Sequence, residues 1–493
     1  MEPAGQQPVL EFDVKPADLP ALLRSAAVTA RRHGRVRTSR IAIIWHDTAE
    51  GTLKARGLAV AQQAGRWRLE RLRPNGAGDW PPATPAPVLV EAASASELGT
   101  GVIDPLVAVA AFTGTRRAYP LLFGNEAGRL DVLDGALRGV ATDQPASRLQ
   151  IAGPLPGVTA FAAELATQLD LAAPRAGLAA EAVAVAHGTE PLPRQLGAPR
   201  VPPGLTACAA LRLITAHLAD VILYWAPIAP RGAAAAPVHQ MRVAVRRLRA
   251  ALALFRRVSA GAALPDLENA LKDLAARLGR ARDWDVFLGD TGAAIRAALP
   301  GDTRIDGLIT AAAKRRAASY AALRDYLGSP AWRALALRLA LLPTAAPWVE
   351  RDDAAQADLL AAPIEDHAAR VLDRMHRRLL QQGAEIETLP ADALHAVRKR
   401  AKKIRYGSEF FTLLFPAKRV KRFLERLEDL QEALGAVNDG HVAADLMRQL
   451  GGGADRAFAA GAVQGYVAAR SGKTASRALK SWTRYAEQET FWH

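Results

Sequence analysis

Apolar and polar residues follow two different periods along the chain, and the change between them divides it. Val9–Lys15 alternates, with Glu11, Asp13 and Lys15 on one face and Phe12 and Val14 on the other, as a strand does. Short runs of the same kind follow at Arg40–Trp45, Gly57–Gln63, Arg66–Arg73 and Pro87–Ala92, then at Ala108–Thr113, Ala118–Phe123, Arg129–Leu133 and Ser147–Ile151. Helical spacing interrupts them at Pro16–Ala30 and ends them at Gly157–Leu171. Many short strands with regular turn signals predict an antiparallel barrel or sandwich. Residues 174–203 are rich in Pro, Gly and Ala, and their last part reads as a linker. From residue 204 onward the spacing is helical, with Gly and Pro between helices at Pro227–Pro237, Ser259–Leu264 and Leu342–Pro347, and Gly451–Gly453 breaking the last pair. The fold class expected is α+β multidomain, an antiparallel barrel followed by an all-α region.

Within the helical region one stretch stands apart. In Val238–Phe255, Met241, Val245, Leu248, Leu252 and Phe255 recur at steps of three and four and share one helix face. His239, Arg242, Arg246 and Arg249 recur at the same steps on a neighbouring face, and no acidic residue interrupts Val238–Val258. Such a face repels itself unless an anion sits on it. The stretch occurs twice. At an offset of 156 residues, Leu394–Phe411 pairs His395 with His239, Arg398 with Arg242, Lys402 with Arg246, Lys403 with Arg247 and Arg405 with Arg249. The offset persists through Leu278-Gly279 and Leu434-Gly435 to Asp283 and Asp439. Two helices and the turn after them are duplicated, which predicts two similar bundles about a pseudo-two-fold axis, their basic faces able to meet in one groove. Gly279 and Gly435 fit helix C-caps. Asp283 and Asn438 or Asp439 fit N-caps of the next helix, or Asp283 and Asp439 orient arginines of the basic face. His441 stands where the first copy has Asp285.

Composition sharpens this picture. At 493 residues the chain has room for two or three domains. Its net charge of +15 and pI near 10.3 suit a polyanionic partner: nucleic acid, an acidic membrane surface or polyphosphate. The single Cys208 excludes an intramolecular disulfide framework and suits a reducing compartment. No signal peptide is visible at the N-terminus. The apolar stretch Ala207–Trp225 carries Arg212, His217 and Asp220, which argues against a membrane span. A cytoplasmic protein is expected.

HxxRVxxRRLR followed by LGxxRDxDV, with a second HxxRxxxKKxRY, resembles a CHAD domain over about Gly204–His493. The resemblance implies two pseudo-symmetric four-helix bundles and binding of inorganic polyphosphate through a basic central surface. The matching positions are His239, Arg242, Arg246, Arg247 and Arg249, and His395, Arg398, Lys402, Lys403, Arg405 and Tyr406. Each histidine is either a phosphate contact or a hydrogen-bonded structural residue. Arginine matches phosphate oxygens bidentately and lysine adds point charge.

Glu11-Phe-Asp13-Val-Lys15 resembles the ExExK signature of the CYTH family, the triphosphate tunnel metalloenzymes, as do Trp45-His-Asp47-Thr48 and Leu53–Gly57, over about Pro8–Leu171. The family's barrel hydrolyses or cyclises triphosphates with Mg²⁺ or Mn²⁺. Here Ala59 and Ala61 stand where its phosphate-binding arginines would be, and Gln150 and Ala152 where late-strand carboxylates would be. Glu11 and Asp13 remain as vestigial metal candidates.

The expected organisation is a CYTH-like barrel over 8–173, a linker over 174–203 and a CHAD domain over 204–493, with halves about 204–342 and 363–491. The expected function is polyphosphate binding, at polyphosphate granules, with no catalytic residues and no cofactor. Mg²⁺ or Mn²⁺ enters only if the barrel is active. The rivals are a metal-dependent triphosphatase or polyphosphatase and a general nucleic-acid binder. The second lacks a recognised motif and has little stacking platform beyond Tyr406.

Overall fold

The computed structural model describes residues 7–139, 142–259, 261, 264–349 and 354–493, except the side chains of 391, 436–441 and 470–476. The chain forms two compact units. One comprises Met1–Gly197, Thr215–Tyr224 and Gly328–Pro347, the other Ala198–Ile214, Trp225–Leu327 and Trp348–His493.

The strands are β1 (Val9–Asp13), β2 (Arg37–Asp47), β3 (Leu58–Gln63), β4 (Arg66–Arg71), β5 (Val88–Ala92), β6 (Val107–Phe123), β7 (Glu126–Leu137) and β8 (Gln144–Ala152). In the first part of the chain the helices are α1 (Leu19–Arg24), α2 (Ala26–Arg31), α3 (Thr52–Ala55), α4 (Leu155–Gln168) and α5 (Leu178–Ala186). Then come α6 (Ala207–Trp225), α7 (Ala236–Phe255), α8 (Leu264–Val286), α9 (Gly292–Ala298), α10 (Thr303–Leu327) and α11 (Pro330–Ala345). The last are α12 (Ala354–Ala361), α13 (Ile364–Gly383), α14 (Ala391–Phe410), α15 (Ala417–Gln449) and α16 (Ala454–Ala486).

The eight strands make one antiparallel sheet in the order β1-β8-β7-β6-β2-β3-β4-β5. Its two end strands, β1 and β5, line the same cavity, so the sheet curls into a half-barrel. It stays open between them for a local reason. Pro81, Pro82, Pro85 and Pro87 precede β5, and proline has no N–H to extend a ladder. A single bond, from the Glu11 N–H to the Ala83 carbonyl at 2.8 Å, bridges from β1 to this segment. The two runs Ala108–Thr113 and Ala118–Phe123 prove to be one strand, β6. Gly114 between them is no turn. It pairs with Gly135 on β7, and a Cβ there would lie 2.2 Å from the Asp134 carbonyl oxygen.

One face of the sheet buries Leu10, Phe12, Val132, Leu149 and Ile151 against α1, α2, α4 and α11. Each such side chain contributes roughly 1.5–3 kcal/mol on burial. The other face carries Ile41, Ile43, Trp45, Ala59, Ala61 and Leu133, and α5 lays Ala179, Ala182 and Val183 upon them. Helix α5 falls within residues 174–203, the stretch read as a linker.

In the second unit α7, α8 and α10 pack together, α13, α14, α15 and α16 pack in sequence, and α7 crosses α14. The glycines expected to end helices do not. Gly279 lies inside α8 and Gly435 inside α15. Asp283 is accordingly an interior residue of α8 and no N-cap. The side chains of Asn438, Asp439 and His441 lie outside the described residues. Among the described residues one stretch, Ala207–Arg231, has the length and hydropathy of a membrane span, and 72% of its most apolar window is buried inside the fold.

Candidate functional site

The two repeated stretches fold as α7 and α14. Pro237 in the first turn of α7 and Pro390 just before α14 are suited to helix starts, where no intrahelical donor is needed. Met241, Val245, Leu248 and Phe255 on α7 are fully buried, as are Val397, Ala401 and Ile404 on α14. That burial orients both helices and leaves the basic residues on the other faces. Arg242, Arg246, Arg247, His395, Arg398, Lys402, Arg405 and Tyr406 are half-buried, whereas His239, Arg249 and Lys403 are exposed.

The crossing brings the two copies together at Tyr406. Its ring lies 5.6 Å from the Arg246 guanidinium carbon and 5.7 Å from that of Arg247. A carboxylate completes the junction. Glu409 accepts from Arg247 across the helix pair, at 3.2 Å from Nε and 2.7 Å from Nη2, and from Arg405 Nε one turn back at 3.0 Å. Arg405 also reaches Glu428 on α15 at 3.0 Å. Arg247 and Arg405 therefore tie the helices together, while Arg246, Arg249 and Lys403 have no close carboxylate among the described contacts. Arg242 stands 3.9 Å from Asp283, which supports the reading of that aspartate as an orienting group.

The duplicated glycines face the duplicated arginines. A Cβ on Gly279 would come within 3.9 Å of Arg242 Nε, and one on Gly435 within 3.5 Å of Arg398 Nη2. Both distances are ordinary van der Waals contacts, so each glycine lies beside the arginine of its own copy without being sterically required there. The electrostatics match a face waiting for an anion. Partial desolvation, then Arg282, Arg242 and Arg246, hold His239 below the ordinary imidazole range. Burial lowers Arg242 against the opposing pull of Asp283. Burial, then Arg400, Arg249, Arg256 and Lys399, lowers Lys403. A bound anion would relieve each of these penalties.

Glu409 and Arg282 are charged neighbours of the basic face that sequence reasoning missed. Their counterparts at the 156-residue offset are Ala253 and Asn438, so duplication carried no signal for either.

In the sheet unit, a cavity of about 1170 Å³ lies on the inner face of the half-barrel. Its acidic groups already have partners. Gln150 Nε2 donates to Glu11 at 2.7 Å. The buried guanidinium of Arg148 bonds Asp13 and, at 2.6 Å, Glu181 of α5. Asp131 accepts from Arg116 and Arg129, and Glu70 from Trp45 Nε1 at 3.2 Å. Asp47 accepts three backbone N–H groups around the start of α3, from Thr48, Leu53 and Lys54. Lys15, expected to face inward beside Glu11 and Asp13, lies past the end of β1 and pairs with Asp170 at 2.7 Å on the surface. Ala59 and Ala61 are buried in the apolar cluster that includes residues of α5. Among the described residues no three His, Cys, Asp or Glu side chains come together as a metal site. Mg²⁺ and Mn²⁺ need several oxygen ligands. The residues present do not fit such an ion, because Arg148 brings a fixed positive charge to Asp13.

Comparison with known proteins bears on the helical part. The profile of the CHAD domain family matches residues 212–448. The crystal structure of the CHAD domain from the plant Ricinus communis is similar at 27% identity and a TM-score of 0.51, covering 60% of this chain and 98% of that one. PptA from Streptomyces chartreusis is similar at 16% identity and a TM-score of 0.43, covering 57% of this chain and all of that one, a likeness too slight to carry an argument. No curated protein matches. The duplicated helices, the family match and the Ricinus likeness agree: residues 212–448 are a CHAD domain, preceded in the chain by an antiparallel half-barrel consistent with a CYTH-like fold.

Proposed function

We propose that the crossed helices α7 and α14 bind inorganic polyphosphate. The observation that carries this reading is the convergence of both copies of the basic motif at Tyr406, with Arg246 and Arg247 of one copy over the ring of the other. Likeness to the CHAD family, whose members bind polyphosphate through a basic central surface, supports it. A polyphosphate chain carries roughly one negative charge per unit and no bases to read. It needs a row of cations along its path and little else. The spacing i, i+3, i+7, i+10 spreads His239, Arg242, Arg246 and Arg249 over about 15 Å of helix. Arg242 and Arg246 supply paired donors to phosphate oxygens, and the second copy supplies Arg398 and Lys402. By analogy with other polyanions, counterion release makes this binding weaken steeply with salt. Association with polyphosphate granules would follow from the same ligand. Nucleic acid fits less well, because Tyr406, the one phenol ring among the motif residues, already has the guanidinium groups of Arg246 and Arg247 against it.

In this reading the half-barrel is not a triphosphatase. Arg148 and Gln150 engage the two carboxylates that a metal would need.

Three outcomes are expected. Arg246→Glu with Lys402→Glu should weaken polyphosphate binding about 100-fold or more, since each lost charged contact is worth roughly 1.5–3 kcal/mol. Far-ultraviolet circular dichroism should stay near wild type. Unchanged affinity in that variant rejects the crossed-helix site. Tripolyphosphate turnover with Mg²⁺ or Mn²⁺ should remain at background, and clear turnover lost in Glu11→Ala would overturn the reading of the half-barrel. The third concerns pH. His239 is neutral at pH 7, and a bound anion favours its protonated form. Binding should therefore tighten as pH falls through the lowered pKa of His239, and His239→Gln should flatten that part of the profile relative to wild type. An identical profile in the variant would mean that His239 does not face the ligand.

A further inference from the structure

Arginines 256, 257 and 400 fall outside the repeated stripe, yet the fold gathers them. A groove of about 490 Å³ opens between the end of α7, α13 and the side of α14 away from Lys402. Arg256 and Arg257 line it from α7, Arg374 and Arg378 from α13, and Lys399, Arg400 and Lys403 from α14. Among the described residues no acidic side chain lines it. The floor is apolar and small, made by Ala250, Ala253, Leu254 and Ala396. Two of the seven cations have partners: Arg256 bonds Glu268 at 2.8 Å, and Arg400 bonds the side-chain oxygen of Gln382.

We propose that this groove is a second anion site, for a short condensed phosphate, distinct from the stripes of α7 and α14. Its volume falls within the roughly 300–1,000 Å³ of small-ligand sites. Its cations stand close enough to oppose one another. Besides burial, the charges acting most strongly on Arg374 are Arg257, Arg378, Arg377 and Arg370, and those on Lys403 are Arg400, Arg249, Arg256 and Lys399. Every one is positive. A ligand bearing several negative charges would offset this repulsion, and one with a single charge would leave most of it in place.

The site is not a by-product of the duplication. At the 156-residue offset, Arg374 and Arg378 correspond to Leu218 and Ile222, which are fully buried. Lys399 and Arg400 correspond to Val243 and Ala244, and Arg256 and Arg257 to Thr412 and Leu413. Only Lys403, matched by Arg247, belongs to both patterns. The groove is thus built by both copies, and apart from Lys403 its cations are not repeated at the equivalent positions. Arg249 acts on Lys403, so the groove begins where the α7 stripe ends.

The proposal shares its ligand class with the polyphosphate reading and, apart from Lys403, none of its residues, so the two can fail separately. The test is calorimetric titration of the full chain with tripolyphosphate at low ionic strength, read as stoichiometry. Arg374→Gln with Arg378→Gln empties the groove. Arg246→Glu with Lys402→Glu disables the stripes. Arg35→Gln with Arg37→Gln, exposed on the sheet unit, controls for net charge. Wild type and control should bind two equivalents, and the groove and stripe variants one each. Two equivalents in the stripe variant, with one in the groove variant, would keep this proposal and reject the stripes. A single equivalent in wild type that is lost in the groove variant would also keep this proposal and reject the stripes, whereas an equivalent count unchanged from wild type in the groove variant would overturn the second site. Orthophosphate should bind at least tenfold more weakly than tripolyphosphate in the stripe variant. Equal affinities there would also overturn the assignment, since the groove would then hold a single phosphate and not a condensed one.

Discussion

Two helices rich in like charge cannot cross without something to hold them, and the helical unit depends on how this chain meets that constraint. Unit charges about 4 Å apart interact by roughly 4 kcal/mol at the effective dielectric of a protein surface. The apolar faces of α7 and α14 supply attraction by burying Met241, Val245, Leu248, Val397 and Ile404. Glu409 supplies the charge. It lies between Arg247 and Arg405, one from each copy of the motif, and so turns two of the cations into a clasp. Arg242 still faces Arg246 and Arg282, and Lys403 faces Arg400, Arg249, Arg256 and Lys399, a repulsion that an anion would offset. Structure and binding are thus divided among residues that look alike in the sequence.

The sheet unit meets a different electrostatic demand in a comparable way. A half-barrel with acidic side chains on its inner face needs positive charge there. Arg148 provides it from β8, buried and bonded to Asp13 and to Glu181 of α5. Ala59 and Ala61 are buried in the same apolar cluster as Ala179, Ala182 and Val183 of that helix, so small side chains at those positions serve packing. A fixed guanidinium and a docked helix account for the altered positions in structural terms, with no appeal to lost chemistry.

How much of this could be read from the chain varies with the physical signal. The paired helices were legible because apolar and basic residues recur at one offset in two places, a pattern that packing and charge both enforce. The antiparallel strands were legible from alternation. The errors arose where one residue type serves two purposes. Gly279 and Gly435 looked like helix ends, since glycine commonly ends helices, yet both lie mid-helix beside Arg242 and Arg398. Gly114 looked like a turn and instead lets β6 approach β7. Glu409, Arg282 and the groove lined by Arg374 and Arg378 were not legible, because each depends on side chains distant in sequence and absent from the other copy. The gap between β1 and β5 follows from a proline run whose effect shows only once the strand order is known.

The central claim is that two stripes act on one polyanion. One stripe offers about four cations, and exposed contacts of that kind are weak and screened by salt. Once a chain engages the first stripe, the second meets it at high effective concentration. The direct measurement is affinity against polyphosphate chain length at fixed ionic strength, for wild type, Arg242→Ala and Arg398→Ala. Affinity should rise steeply with length and then level off, and each substitution should weaken long chains strongly while changing tripolyphosphate little. Affinity per molecule that stays flat from tripolyphosphate upward would contradict the account.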